Sequence, residues 1–164
     1  MPTITLDKKL ERKMNDIRRQ MKYLCLEEHE NNNGHTIFKH VGKSFKFLED
    51  RCRKSKYLDV ASSFRNVDEA VYYIQQTVLH DGEQSNLREF AEWMLDYSNF
   101  DDYELYLEFD EEVGYAYKKT NRKTGDGVIV PCHEVSVVMR KFCYKGRNSG
   151  MGFKIISAYP QILD

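Results

Sequence analysis

Residues 103–109 read Tyr103-Glu104-Leu105-Tyr106-Leu107-Glu108-Phe109, and after an acidic break the chain continues as Val113-Gly114-Tyr115-Ala116-Tyr117. A period of two puts Tyr103, Leu105, Leu107 and Phe109 on one face of a β-strand. Val113, Tyr115 and Tyr117 repeat the pattern, so the two runs read as an antiparallel pair joined by a short acidic turn. Apolar residues before this point follow the helical period. Those after it follow the strand period or form short apolar runs.

Upstream, Leu6, Leu10, Met14, Ile17, Met21 and Leu24 recur every three or four positions, which predicts a long amphipathic helix ending at the polar run Glu30–Gly34. A second helix is predicted from near Gly42, with Phe45, Leu48 and Cys52 on its inward stripe and Arg51 beyond Leu48. Asn66 followed by Glu69 reads as an N-cap ahead of Val67, Ala70, Val71, Ile74 and Val78. A fourth helix follows Ser85, with Leu87, Phe90, Ala91, Met94 and Leu95 on one face. Downstream come a polar loop from Thr120 to Gly127, Val128-Ile129-Val130 before Pro131, the run Glu134–Phe142, a Gly-rich loop Lys145–Gly152, and Phe153–Tyr159. Helices first and strands second predict an α+β fold, with a four- or five-stranded antiparallel sheet on a helical layer. A chain of 164 residues suits one domain, with residues 1–33 as an N-terminal amphipathic helix packed on the same domain as residues 34–164.

Composition narrows the function. Charged residues make up 31% of the chain and the mean hydropathy is −0.68, with no run near the roughly 18 apolar residues a membrane span needs. The start MPTITLDKKLERKM lacks the apolar core of a signal peptide, so nothing in it directs the chain out through the general secretory route. Cys25, Cys52, Cys132 and Cys143 have no metal-ligand spacing and read as reduced, mostly buried thiols; Cys132 beside His133 is the one hint of thiol catalysis. Gly42-Lys43-Ser44 has the tail of a P-loop, but Phe38 stands where its first Gly belongs. No metal site or cofactor is indicated.

The net charge of −1 argues against nucleic acid until its distribution is read. Residues 39–56 hold seven Lys and Arg against two acids, residues 118–154 hold nine against two, and residues 96–112 hold eight acids and no base. This segregation predicts a basic cleft and an acidic face elsewhere. His35 and His40 lie just ahead of a predicted helix start, close to Lys39, Lys43, Lys46 and Arg51, an arrangement suited to an anion.

Three ordered blocks, GHTIFKHVGKSFKFLEDR at 34–51, ASSF at 61–64 and GFKIISAYP at 152–160, resemble the bacterial ribonuclease A-like toxin family, the C-terminal domains of contact-dependent inhibition and other polymorphic toxins. The resemblance spans residues 34–160 and implies a kidney-shaped ribonuclease A-like fold without disulfides. It also implies metal-independent RNA cleavage by a His in the H-V-G block, an Arg on the next helix, and a Thr and a Tyr in a closing T-A-Y-P block. These fall on His40, Arg51, Ser157 and Tyr159, with Ser157 replacing the Thr and His35 and Lys43 as secondary candidates.

Those residue types suit the reaction. A histidine with an ordinary pKa of about 6.5 can take the 2′-hydroxyl proton, an Arg fork can hold the phosphate, and Tyr159 or His35 can protonate the leaving oxygen. The expected product is a 2′,3′-cyclic phosphate. Implied partners are RNA and a cognate immunity protein, with the chain read as a monomer, and the resemblance implies action in the bacterial cytoplasm, with delivery into a target cell as one route there. The competing reading is a weak or inactive ribonuclease-like module that binds RNA or a protein.

Overall fold

The apolar stripe at the N-terminus forms helix α1 (Pro2–Lys22), which buries Leu10, Ile17 and Met21. The computed structural model describes residues 2–31, 34–143 and 151–163, with side chains from residue 7 onward. The helix stops before Leu24, and the chain turns through Tyr23–Cys25 into α2 (Leu26–Glu30). Of the predicted polar run at 30–34, residues 32 and 33 lie outside the described residues.

Next come α3 (Thr36–His40) and α4 (Phe45–Lys54). The Ser44 hydroxyl caps α4 by accepting from Phe47 N at 3.1 Å, so the predicted helix starts later than Gly42. Leu48 and Cys52 turn inward as expected, against Ala61 and Tyr117. Phe45 does not: it is 56% exposed and packs edge-on against the Tyr115 ring, because the inward stripe of α4 reaches the sheet from Leu48 onward. The predicted Asn66 cap is present on α5 (Val67–Leu79), where Asn66 Oδ1 accepts from Glu69 N at 2.8 Å; α6 (Asn86–Leu95) follows Ser85 as expected, and Ser85 Oγ caps it by accepting from Arg88 N at 3.1 Å.

The strands are β1 (Val60–Ser63), β2 (Tyr103–Glu108), β3 (Gly114–Lys119), β4 (Gly127–Cys132), β5 (Glu134–Cys143) and β6 (Met151–Gln161). They form two three-stranded antiparallel sheets, ordered β1-β3-β4 and β2-β5-β6, instead of one sheet of four or five. The expected pairing of 103–109 with 113–117 is also absent. β2 pairs with β5 down to Glu108 opposite Glu134, and β3 pairs with β4 from Gly114 opposite Cys132. Only His133 separates the two partner strands, whereas residues 109–113 separate β2 from β3. Phe109 N donates to His133 O and Val113 N to Cys132 O, so the acidic segment is an insertion opposite a single residue. Such an excess on one side bends a ladder, and here it splits one long pairing into two sheets.

The sheets converge at Gly114, where a Cβ would lie 2.4 Å from Ser63 O and 2.7 Å from the Pro160 ring, so only glycine admits this approach. Helix α3 straddles the opening on one side. His35 N donates to Ile156 O and Ala158 N to Thr36 Oγ1 on the β6 side, while Phe64 N donates to His40 O on the β1 side. Gly42 follows at φ +64°, a left-handed turn that lets its N–H reach Phe64 O.

One hydrophobic cluster joins Ile17 and Met21 of α1, Ile74 and Phe90 of α5 and α6, and Val137 and Ile155 of the β2-β5-β6 sheet. All four cysteines are free, Cys52 and Cys132 buried and Cys143 exposed. Burial pushes the Cys132 thiol up to about 12, which removes it as a thiolate nucleophile beside His133. The predicted Gly-rich loop lies outside the described residues through residue 150, and Gly152 belongs to β6. Among the described residues no helix is long and apolar enough to cross a membrane.

Candidate active site

The register of the β2-β5-β6 sheet sorts its side chains by face. Leu105, Val137 and Ala158 stand in one cross-strand row, with Leu107 and Val135 in the next on that side, and this face packs on the core. The opposite face carries the rows Glu104, Val138, Ser157 and Tyr106, Ser136, Tyr159. A bulge between Val138 and Met139 leaves Ile156 without a ladder partner, and its carbonyl accepts from His35 N at 2.9 Å instead. Ser157 and Tyr159 follow this bulge, two residues apart on the polar face.

That face forms one wall of a cleft of about 610 Å³. The β1-β3 edge supplies Val60, Ser62 and Lys118, α3 supplies His35 and His40, and α4 supplies Arg51. Four main sequence candidates, His40, Arg51, Ser157 and Tyr159, therefore line one cavity together with His35. Lys43 does not. Its ammonium lies over the rings of Phe38 and Phe47, at 5.7 and 5.1 Å, and its backbone is held by Ser63 Oγ and the Tyr115 hydroxyl. The expected anion site at a helix start is likewise replaced, since His40 ends α3 and the α4 start is capped by Ser44.

His40 is 9% exposed and its Nδ1 sits 3.1 Å from Ser62 O. A carbonyl only accepts, so Nδ1 carries the proton and Nε2 keeps its lone pair. Burial pushes the His40 pKa down to about 4; the Ser62 bond is the next largest effect and opposes it, and the positive charges of Arg51, His35 and Lys39 lower it further. The imidazole is thus neutral and basic at Nε2 near pH 7. The His35 ring centroid is 6.1 Å away, and burial with Lys39 and Arg51 also lowers its pKa.

On the other side of His40 the Tyr159 ring lies at 5.3 Å, tilted by 37°. Its hydroxyl donates to Glu104 Oε1 at 3.1 Å. Burial raises the Tyr159 phenol pKa above its ordinary value. Arg51 Nη1 and Ser157 Oγ are both buried without a hydrogen-bond partner, an expensive arrangement for two polar groups lining one cavity. Two unspent donors beside a neutral imidazole fit an oxyanion. Among the described residues, no three His, Cys, Asp or Glu side chains gather as a metal-binding cluster.

Three lining or flanking groups escaped the sequence reading. Lys118 and Ser62 reach the cleft through the β1-β3 pairing, and β1 itself carries only the short, polar run Val60–Ser63. Glu104 sits in a polar alternation indistinguishable by sequence from a solvated face.

The chain matches, over residues 34–160, the family described as the bacterial CdiA-CT RNase A domain. Its fold is similar to a chain in the crystal structure of a CdiA-CT/CdiI complex from Y. kristensenii 33638, with a TM-score of 0.60 and 19% identity, over 78% of this chain and 99% of that one. No curated protein matches. With residues 34–160 carrying both the family match and the whole of the cleft's histidine pair, the chain belongs to the bacterial CdiA-CT RNase A domain family, the ribonuclease toxins of contact-dependent inhibition.

Proposed function

We propose that the cleft cleaves RNA without a metal, by attack of a 2′-hydroxyl on the adjacent phosphorus. The observation that carries this reading is the pair of unsatisfied buried groups, Arg51 Nη1 and Ser157 Oγ, in the same cavity as His40. His40 Nε2 takes the 2′-hydroxyl proton, and Arg51 and Ser157 bind the phosphoryl oxygens as charge builds on them. Because the Tyr159 proton is directed at Glu104, His35 is the better candidate to protonate the departing 5′-oxygen, acting as the imidazolium, whose share a bound phosphodiester anion raises against the burial and the Lys39 and Arg51 charges that lower its pKa. Tyr159 then serves as the wall that orients His40. The products are a 2′,3′-cyclic phosphate and a 5′-hydroxyl end.

A phosphodiester anion beside the ring offsets the cationic field of Arg51 and strengthens the base when substrate is in place. Ser157 supplies the hydroxyl of the family's Thr without the methyl that restricts its rotamer. A protein partner that plugs the cleft, as an immunity protein does for a toxin, fits the open and cationic mouth. The site of action proposed is the cytoplasm of a target cell after delivery.

The test is incubation with total RNA in EDTA, beside His40→Ala, with end-group analysis of the fragments. Wild type should cut and leave cyclic phosphate ends, and His40→Ala should lose about 100-fold or more. Equal cutting by the variant, or activity abolished by EDTA, refutes the mechanism. Retention of RNA without cutting would favour the binding-module reading.

A further inference from the structure

The Glu104 carboxylate hydrogen-bonds a residue of the cleft. It accepts from the Tyr159 hydroxyl at 3.1 Å and also from Ser136 Oγ, the cross-strand neighbour of Tyr159. The Tyr106 hydroxyl donates to it as well, and burial together with this bond pushes the Tyr106 phenol up to about 12. Three hydroxyls therefore converge on one half-buried carboxylate. That is more donation than a carboxylate on a solvated sheet face needs, and it spreads the negative charge at the border of a site that must receive a phosphate.

A phenol has one proton to donate and two lone pairs. With that proton spent on Glu104, the hydroxyl end of Tyr159 is fixed at the β2 side of the sheet. The ring, anchored at its Cα by β6 and at its oxygen by Glu104, has no freedom left except its tilt against His40, 5.3 Å away. Gln161, two residues along the same face, also contacts the hydroxyl.

We infer that Glu104 is a positioning residue for the ribonuclease reaction, acting through Tyr159 to hold the ring against His40, with Ser136 and Tyr106 keeping its carboxylate in place. This rests on the catalytic reading of His40. Glu104 touches no reacting atom; its contribution is geometric, and a loosened catalytic contact of this kind costs on the order of 10- to 100-fold in rate.

The experiment combines kinetics with a histidine titration followed by NMR, on Glu104→Ala, Glu104→Gln, Tyr159→Phe and the Glu104→Ala/Tyr159→Phe double variant. Glu104→Ala should lower kcat by about 10- to 100-fold with KM nearly unchanged. Glu104→Gln, which keeps a carbonyl acceptor for the phenol, should recover most of it. In the Tyr159→Phe background, Glu104→Ala should have an effect of less than about twofold, because the link it serves is already cut. Equal losses in both backgrounds, or an unchanged kcat in Glu104→Ala, overturn the proposal.

The titration decides independently of activity. Removing a carboxylate that acted only by its charge would push the His40 pKa further down. Removing one that holds the Tyr159 wall admits water to the ring and lets the pKa climb from about 4 toward 6.5. A climb in Glu104→Ala supports positioning even if no RNA is cut, which would refute the ribonuclease mechanism alone. A fall, or no change, refutes positioning.

Discussion

His40 makes the stability of this protein depend on pH in a way that a single substitution can isolate. Its native pKa is about 4, below the ordinary value of 6.5 that the unfolded chain restores. As pH falls the unfolded chain takes up its proton first, so the stability linked to neutral His40 is complete above pH 6.5 and is lost between there and pH 4. At about 1.4 kcal/mol per pH unit, the gap corresponds to roughly 3 kcal/mol. His29 and His35 are also shifted down by burial and act in the same direction, while Asp96 and Asp102, held low by hydrogen bonds to Ser98 and Arg140, add their losses in more acidic solution. All of these persist in a His40→Asn variant, whose amide can still donate to Ser62 O from near the Nδ1 position. The measurement is urea unfolding of both proteins from pH 7.5 to 4. The wild type should lose roughly 3 kcal/mol more than His40→Asn over that range. Parallel curves, separated by less than about 1 kcal/mol across the range, would show that His40 is not buried neutral and would remove the basis for calling it a base.

Two other substitutions probe the frame and the phosphate site. Gly114→Ala places a Cβ against Ser63 O and the Pro160 ring, both part of the two sheets' closest approach, and should cost about 1–3 kcal/mol in urea unfolding at neutral pH. Arg51→Lys keeps the charge but loses the planar fork, so RNA cleavage should fall by about 100-fold while stability, which rests on Leu48 and Cys52 of the same helix, stays within about 0.5 kcal/mol.

How far the sequence could be read is visible in which features were local. The Asn66 cap depends on a side chain three residues from its target, and it was legible, as was the start of a helix after Ser85. The strand alternation of 103–109 and 113–117 was legible too, but not its pairing. A hairpin and a bent ladder opposite a shared partner use the same alternation, and the difference lies in hydrogen bonds to Cys132 and His133 some twenty residues away. His40, Arg51, Ser157 and Tyr159 could be named from their resemblance to a family pattern, and they do share a cavity. Lys43 was misplaced because spacing along a chain does not say that its ammonium will settle over two phenylalanine rings.

The acidic stretch shows most clearly why face and not composition decides function. Residues 96–112 carry eight acids and no base, and composition alone assigns them to one solvated surface. The structure divides them. Asp102 pairs with Arg140 and Glu112 with Arg65, ties that join β2 to β5 and the bend to the start of α5. Glu104 shares the parity of Asp102, but its row runs through Val138 to Ser157, so its carboxylate reaches the border of the cleft. An anion there needs solvation that the cleft border does not supply as bulk water would, and Ser136, Tyr106 and Tyr159 supply it by donating to the carboxylate. A basic cleft in a chain of net charge −1 therefore does not require every acid to be kept far away; it tolerates one at its border when hydroxyl donors hold that carboxylate in place.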